Sequence, residues 1–215
     1  MKRMLAAGYG PIYQICKVFR QEERSRQHNP EFTMLEWYRP DFSMRQLMQE
    51  LQALLCFLQP DIKQQQIAFQ DLFHQHWQLN PHTSSYEQLR NLAEQTGLVV
   101  AESVDLPGLH DFLLNRLVNA VDPELALCVY NFPLVQGSYA ALDPGPPPVA
   151  KRFELFYSGM EIANGYEEIT DSEQLSARVR QENERRSANN QPTYAFDNRI
   201  LTSVELLGPC SGIAL

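Results

Sequence analysis

The residue pattern points to an α+β fold, an antiparallel sheet flanked by helices, with a helical insertion. Three observations carry it. First, Ile12–Phe19 and residues 32–38 both alternate and are rich in aromatic and β-branched residues, as paired strands are. Second, Leu125–Phe132 is a continuous apolar run. It precedes two more strand-like segments, residues 152–157 and 160–169, joined by Ser158-Gly159, a hairpin turn signal. Third, residues 43–58 repeat Met44, Leu47, Met48, Leu51, Leu54, Leu55 and Leu58 at three- and four-residue steps, the stripe of a core-facing helix.

In chain order, residues 1–7 have helix-forming composition, and Gly8-Tyr9-Gly10-Pro11 stops them. The polar stretch 21–31 reads as a long hairpin loop with Asn29-Pro30 as its turn. Asp41 or Ser43 caps the long helix, and Pro60 closes it. Residues 60–122 read as helical: a start near 67–73, a capping box of Ser84 with Glu87, and an amphipathic helix over 109–121. They carry no chemical motif and read as an insertion within one domain spanning 1–215. Residues 143–148 are a rigid proline-rich linker, and residues 172–187 form a polar helix of mixed charge. A last helix covers about 198–207, and the apolar residues 210–215 open a core element.

Composition narrows the function. The 215 residues are 44% hydrophobic, enough for a sizeable core, and the formal net charge is −8. An acidic chain disfavours a broad nucleic-acid surface, which draws on excess Lys and Arg. Cys16, Cys56, Cys128 and Cys210 have no framework spacing, which predicts a reducing, cytoplasmic setting. No apolar run reaches membrane-spanning length. His74, His76 and His82 lack acidic or thiol neighbours at ligand spacing and read as surface histidines.

Two constellations carry chemistry. Arg20, Arg24, Arg26 and His28 fall within nine residues. Most hairpin loops are shorter than this one, so a guanidinium-rich loop suits anion binding; pairing with Glu22, Glu23 and Glu31 is the plain alternative. On the later hairpin, Glu154 and Glu161 can be brought across from each other, with Asn164 and Glu168 on the same pocket through a bulge at Gly165. Adjacent carboxylates repel unless a cation bridges them, and Mg²⁺ would. Solvated acids on an edge hairpin are the alternative.

The blocks Phe19-Arg20-x-Glu22 and Arg26-x-His28-Asn29-Pro30-Glu31-Phe32-Thr33-Met34-Leu35-Glu36-x-Tyr38 resemble motif 2 of class II aminoacyl-tRNA synthetases, in the lysyl branch. Phe153-Glu154-Leu155 with Glu161-Ile162-Ala163-Asn164-Gly165-Tyr166-x-Glu168 resembles that branch's metal- and lysine-binding strands, and Ser211-Gly212-Ile213-Ala214-Leu215 the beginning of motif 3. Within the branch the chain is most similar to the paralogues that modify elongation factor P with (R)-β-lysine. Glu36-Trp37-Tyr38-Arg39-Pro40, the segments Met1-Lys2-Arg3-Met4-Leu5 and Gly8-x-Gly10-Pro11, and Ala214, where lysyl-tRNA synthetases usually carry glycine, point there.

The resemblance implies a class II synthetase-type sheet and an ATP-dependent ligase. Arg20 would bridge the α-phosphate and the substrate carboxylate as the catalytic residue. ATP would be held by Arg20, Gln21, Glu22, His28, Asn29, Phe32, Glu161 and Ile162, with Phe32 stacked on adenine. Glu36, Tyr38, Asn164, Tyr166, Glu168 and Ala214 would form the pocket for β-lysine or lysine, and Glu154 and Glu161 would hold Mg²⁺. The implied partner is elongation factor P, with no membrane and no tRNA. The family is homodimeric, and its dimer-building motif 1 is not among these residues. Neither are the small acidic segment that in the family precedes Met1 and contacts the substrate amine, nor the end of motif 3. The chain by itself is therefore expected to activate substrate poorly or not at all, and brisk ATP–pyrophosphate exchange would contradict that. A lysyl-tRNA synthetase core and an ATP- and lysine-binding module without turnover are the rival readings.

Overall fold

The computed structural model describes residues 1–20, 29–188 and 190–215. In chain order the elements are α1 (Lys2–Ala6), β1 (Ile12–Phe19), β2 (Glu31–Pro40), α2 (Met44–Leu58), β3 (Lys63–Ala68), α3 (Phe69–Trp77), α4 (Tyr86–Gln95), α5 (Leu106–Val118), β4 (Leu125–Phe132), β5 (Leu142–Asp143), β6 (Val149–Tyr157), β7 (Met160–Glu167), α6 (Ser172–Ala188), α7 (Asn198–Val204) and β8 (Cys210–Ala214). The α+β reading stands. Two compact units divide the chain: Met1–Leu47 with Glu167–Leu215, and Met48–Tyr166. Among the described residues no helix is long and apolar enough to cross a membrane.

In the first unit, β1 and β2 form the expected antiparallel hairpin, in register from Ile12 opposite Tyr38 to Phe19 opposite Glu31. The Arg20 N–H donates to the Pro30 carbonyl at 2.9 Å, one more rung beyond the strands. β8 pairs antiparallel with the other edge of β2, placing Ala214 opposite Glu36 and Gly212 opposite Tyr38. An apolar cluster of Leu5, Tyr38, Ile169, Leu175, Val204, Leu207 and Cys210 anchors α1, α6 and α7 in this unit. α6 is otherwise polar, with Leu175 its buried side chain, as its mixed charges predict.

In the second unit, β6 and β7 meet through Ser158 and Gly159, both at positive φ (52° and 74°), as a tight right-twisting hairpin requires. The positive φ is what favours glycine at 159; a Cβ there would also lie 2.5 Å from Asn119 Oδ1, the end of an exposed side chain that would have to turn aside. β4 pairs antiparallel with β6 and parallel with β3. The core beneath holds Phe69, Phe73, Leu89, Leu109, Leu113, Val129 and Phe132 from strands and helices alike.

Several expectations need correction. Residues 60–122 are not helical throughout: β3 comes first, and its parallel pairing makes the sheet mixed. Its sequence, Lys-Gln-Gln-Gln-Ile-Ala, buries only Ile67, so hydrophobic patterning could not announce it. The capping box uses Ser85 with Gln88, one residue later than expected, while the Ser84 hydroxyl donates to the Asn80 carbonyl. α5 starts earlier, at Leu106, because Asp105 caps it by accepting from the Gly108 N–H. His82 is half-buried against Phe69 rather than on the surface.

Candidate functional site

Two clusters of polar side chains stand out, one in each unit. In the first unit, strand alternation sends Glu36 and Tyr38 to one face of β2, two residues apart. The Tyr38 hydroxyl donates to Glu36 Oε1 at 2.7 Å, and Gln14 Nε2, from the paired position on β1, donates to Oε2 at 3.0 Å. Just past β7, Glu168 is 4% exposed. Its backbone N–H donates to the Cys210 carbonyl, and Lys2 Nζ from α1 donates to its Oε2 at 2.6 Å. Burial raises the Glu168 pKa; the Lys2 charge and hydrogen bond pull it back, and the Glu36 charge adds to the rise. Gly212 lies beneath both groups. A Cβ there would sit 2.5 Å from the Tyr38 ring and 2.7 Å from Glu168 Oε1. The cluster is a carboxylate pair around an aromatic wall, chemistry suited to an alkylammonium group.

On the same sheet, the Arg20 guanidinium lies 5.2 Å from the Phe32 ring centroid. Arg20 thus leaves β1 at the base of the polar loop, backed by an aromatic face. Asn29 is exposed at the return end of the loop. Gln21, Glu22 and His28 lie outside the described residues, as do Arg24 and Arg26.

In the second unit, Arg152, Glu154 and Asn164 share one face of the β6–β7 hairpin. Asn164 sits opposite Glu154, and Arg152 opposite Tyr166. Glu161 is not across from Glu154, as expected, but opposite Phe156. The register shift lies between Leu155 and Phe156, leaving Ile162 as the extra residue, rather than at Gly165. That bulge turns Glu161 onto the Glu154 face, and Asn164 Nδ2 reaches Oε1 of both carboxylates at 3.3 Å. Tyr166 packs on the apolar core of this unit.

Sequence reasoning missed Arg152, Asp111 and Gln136. Arg152 pairs with Glu154, donates from Nη1 to the Gln136 carbonyl at 2.7 Å and from Nε to Asn164 Oδ1 at 3.3 Å, and lies over the Phe132 ring. Gln136 Nε2 in turn donates to Asp111 Oδ1 at 2.5 Å. Strand alternation could have flagged Arg152, two residues before Glu154; nothing local marks Asp111. The Glu154 pKa is raised to about 8, chiefly by burial and further by the Glu161 and Asp111 charges, against the lowering pull of Arg152. Asp111 is raised by burial too. Three carboxylates therefore face one guanidinium.

That donor set fits Mg²⁺: hard oxygens, surplus negative charge and a buried carboxylate that a cation would stabilise. Among the described residues no three His, Cys, Asp or Glu side chains form a protein-only metal cage. An ion held by Glu154 and Glu161 would take its other ligands from water and phosphate, as Mg²⁺ usually does.

A family profile described as tRNA synthetases class II (D, K and N) matches residues 1–215. The chain belongs to that family. Among curated relatives, it is 39% identical to a protein of Klebsiella pneumoniae (strain ATCC 700721 / MGH 78578), over 221 aligned positions covering all of this chain and 67% of the relative. Proteins of Salmonella arizonae and Erwinia tasmaniensis match at the same identity and coverage. All three relatives are named elongation factor P–(R)-β-lysine ligase. The Glu36-x-Tyr38 strand, the Glu154 and Glu161 hairpin and Arg20 all lie within the residues that the family profile matches.

Proposed function

We propose that this protein activates (R)-β-lysine with ATP and transfers it to a lysine side chain of elongation factor P. Whole-chain identity to ligases of that name supports the reading. The observation that carries it is the pair of carboxylates, buried Glu168 and half-buried Glu36, around Tyr38 and Gly212. Such a pocket holds an ammonium and rejects a neutral side chain of equal length.

The first step is attack of the substrate carboxylate on the α-phosphate of ATP, forming an acyl-adenylate and releasing pyrophosphate. Arg20 steadies the carboxylate and phosphate oxygens through its forked donors. Phe32 offers a flat apolar face to the adenine. Gln21, Glu22, His28 and Asn29 complete the nucleotide-binding set, with Glu161 and Ile162 from the hairpin. Glu154 and Glu161 would hold Mg²⁺, which when bound neutralises phosphate charge. Arg152 and Asn164 keep the two carboxylates in place. Amino-acid binding is assigned to Glu36, Tyr38, Glu168 and Ala214, and also to Asn164 and Tyr166. In the second step the acceptor amine attacks the acyl carbon, forming an amide and releasing AMP. Both steps rely on positioning and fixed charge, with no covalent enzyme intermediate. The reaction belongs in the cytoplasm, where elongation factor P acts as the protein substrate. Residues 60–122 are best read as an insertion whose Asp111 reaches the carboxylate network.

A lysyl-tRNA synthetase core is the second reading, favoured by the family description, which includes the lysine enzymes. Alanine at 214, opposite Glu36, favours the β-amino acid. Adenylate formation is best followed in a single turnover at high protein concentration, which reads the activation step apart from transfer. The expected result is ATP-dependent adenylate with (R)-β-lysine and none with norleucine. Adenylate with neither amine, or with norleucine alone, overturns the activation step.

A further inference from the structure

The ion pair between Lys2 and Glu168 joins residues 166 positions apart and is unusual in its asymmetry. The Glu168 side chain is 3% exposed and that of Lys2 27%. A tie serving only to fasten α1 would not require a buried carboxylate, whose desolvation is costly. α1 is already fastened by Leu5 in the apolar cluster. Among the described residues, other titratable groups around Glu168 come from β2, β8 and the end of β7. Glu36 and Tyr38 come from β2, and Glu36 takes its two hydrogen bonds from neutral donors, Gln14 and the Tyr38 hydroxyl. Cys210 comes from β8, its thiol pushed up to about 12, chiefly by burial and then by the Glu168 charge, so it stays neutral. Glu167, next in sequence, is turned to the Met44 N–H. α7 offers apolar Val204 to this cluster. Two carboxylates and one resident ammonium leave a net charge of −1, which matches a single substrate ammonium.

We propose that Lys2 is a positioning residue that holds Glu168 as an oriented carboxylate, and so sets the charge of the pocket to accept one alkylammonium group. The proposal rests on reading the Glu36–Glu168 cluster as the amine pocket. Without Lys2, burial acts on Glu168 unopposed, and the carboxylate takes up a proton at higher pH. Amine binding, which needs the carboxylate, is then lost as pH falls through that raised value.

Calorimetric titration of (R)-β-lysine between pH 6 and 9 tests this on the wild type, Lys2→Met and Lys2→Arg, with ATP affinity and thermal melting as controls. Lys2→Met is expected to weaken amine binding by at least about tenfold at neutral pH. Much of the loss should be regained near pH 9, with ATP affinity unchanged, and Lys2→Arg should restore most of it. If Lys2→Met melts early, Lys2→Gln, which keeps a donor without the charge, carries the comparison. Unchanged amine binding in the folded variants, or a pH-independent loss shared equally by ATP, overturns the proposal. Wild type that binds no amine overturns it together with the pocket. Wild type that binds the amine but forms no adenylate overturns the proposed activity alone.

Discussion

Gly212 is the least substitutable residue of the amine cluster. A methyl group there meets the Tyr38 ring and the Glu168 carboxylate at once, both packed too tightly to yield freely. Gly212→Ala is expected to cost about 1–3 kcal/mol in chemical denaturation, and to weaken amine binding more than ATP binding. The carboxylate hairpin makes a separate prediction. Mg²⁺ at about a hundred times its Kd should stabilise the wild type by about 2.7 kcal/mol, and Glu161→Gln should lose most of that shift in a melting experiment. Equal Mg²⁺ shifts in both proteins would remove Glu161 from the metal site. Away from both clusters, His82 has its pKa lowered to about 4, first by burial and then by the His110 charge; His110 is lowered by burial. The sign follows from proton binding. Between about pH 6.5 and 4 the unfolded chain carries the proton and the folded chain does not, so stability falls as pH drops through that window. His82→Asn should flatten the acid side of the Tm–pH curve.

Hairpin turns and strand registers do most of the positioning. The β6–β7 turn puts Glu154 and Asn164 opposite each other, and the bulge at Ile162 adds Glu161. Gly159→Ala, at φ +74° and against Asn119, should cost about 1–2 kcal/mol from conformation alone, with Mg²⁺ affinity falling alongside. Much of this hairpin was legible in advance. Alternation and Ser158-Gly159 fix its strands and turn, and Glu154 was singled out together with Glu161, which the bulge brings to the same face. The bulge position was not legible, because a register shift depends on the partner strand and leaves no local mark. β3 was hidden for a related reason: an edge strand rich in glutamine buries too little to show a period. Its parallel partner β4, buried along most of its length, announced itself by continuous apolar residues. The helix starts were misplaced where two caps compete, Ser84 with Ser85, since each offers the same hydroxyl chemistry.

At the scale of the whole molecule, the clusters legible in the sequence were those whose residues lie close together in it: the Glu36-x-Tyr38 strand and the acids of the late hairpin, while Arg24 and Arg26 lie outside the described residues. Lys2, Asp111 and Gln136 were illegible because their roles come from contacts distant in sequence, as Lys2 with Glu168 and Asp111 with Gln136. The net charge of −8 bears on the choice of acceptor. Such a charge gives little general attraction for a tRNA backbone, which supports the proposed protein acceptor. The direct measurement is a competition in one tube: ATP, Mg²⁺, labelled (R)-β-lysine and equimolar elongation factor P and tRNA, sampled until label is incorporated. The account predicts label in the protein fraction, on elongation factor P, and dependent on ATP. Label on tRNA, or label reaching protein without ATP, would contradict it.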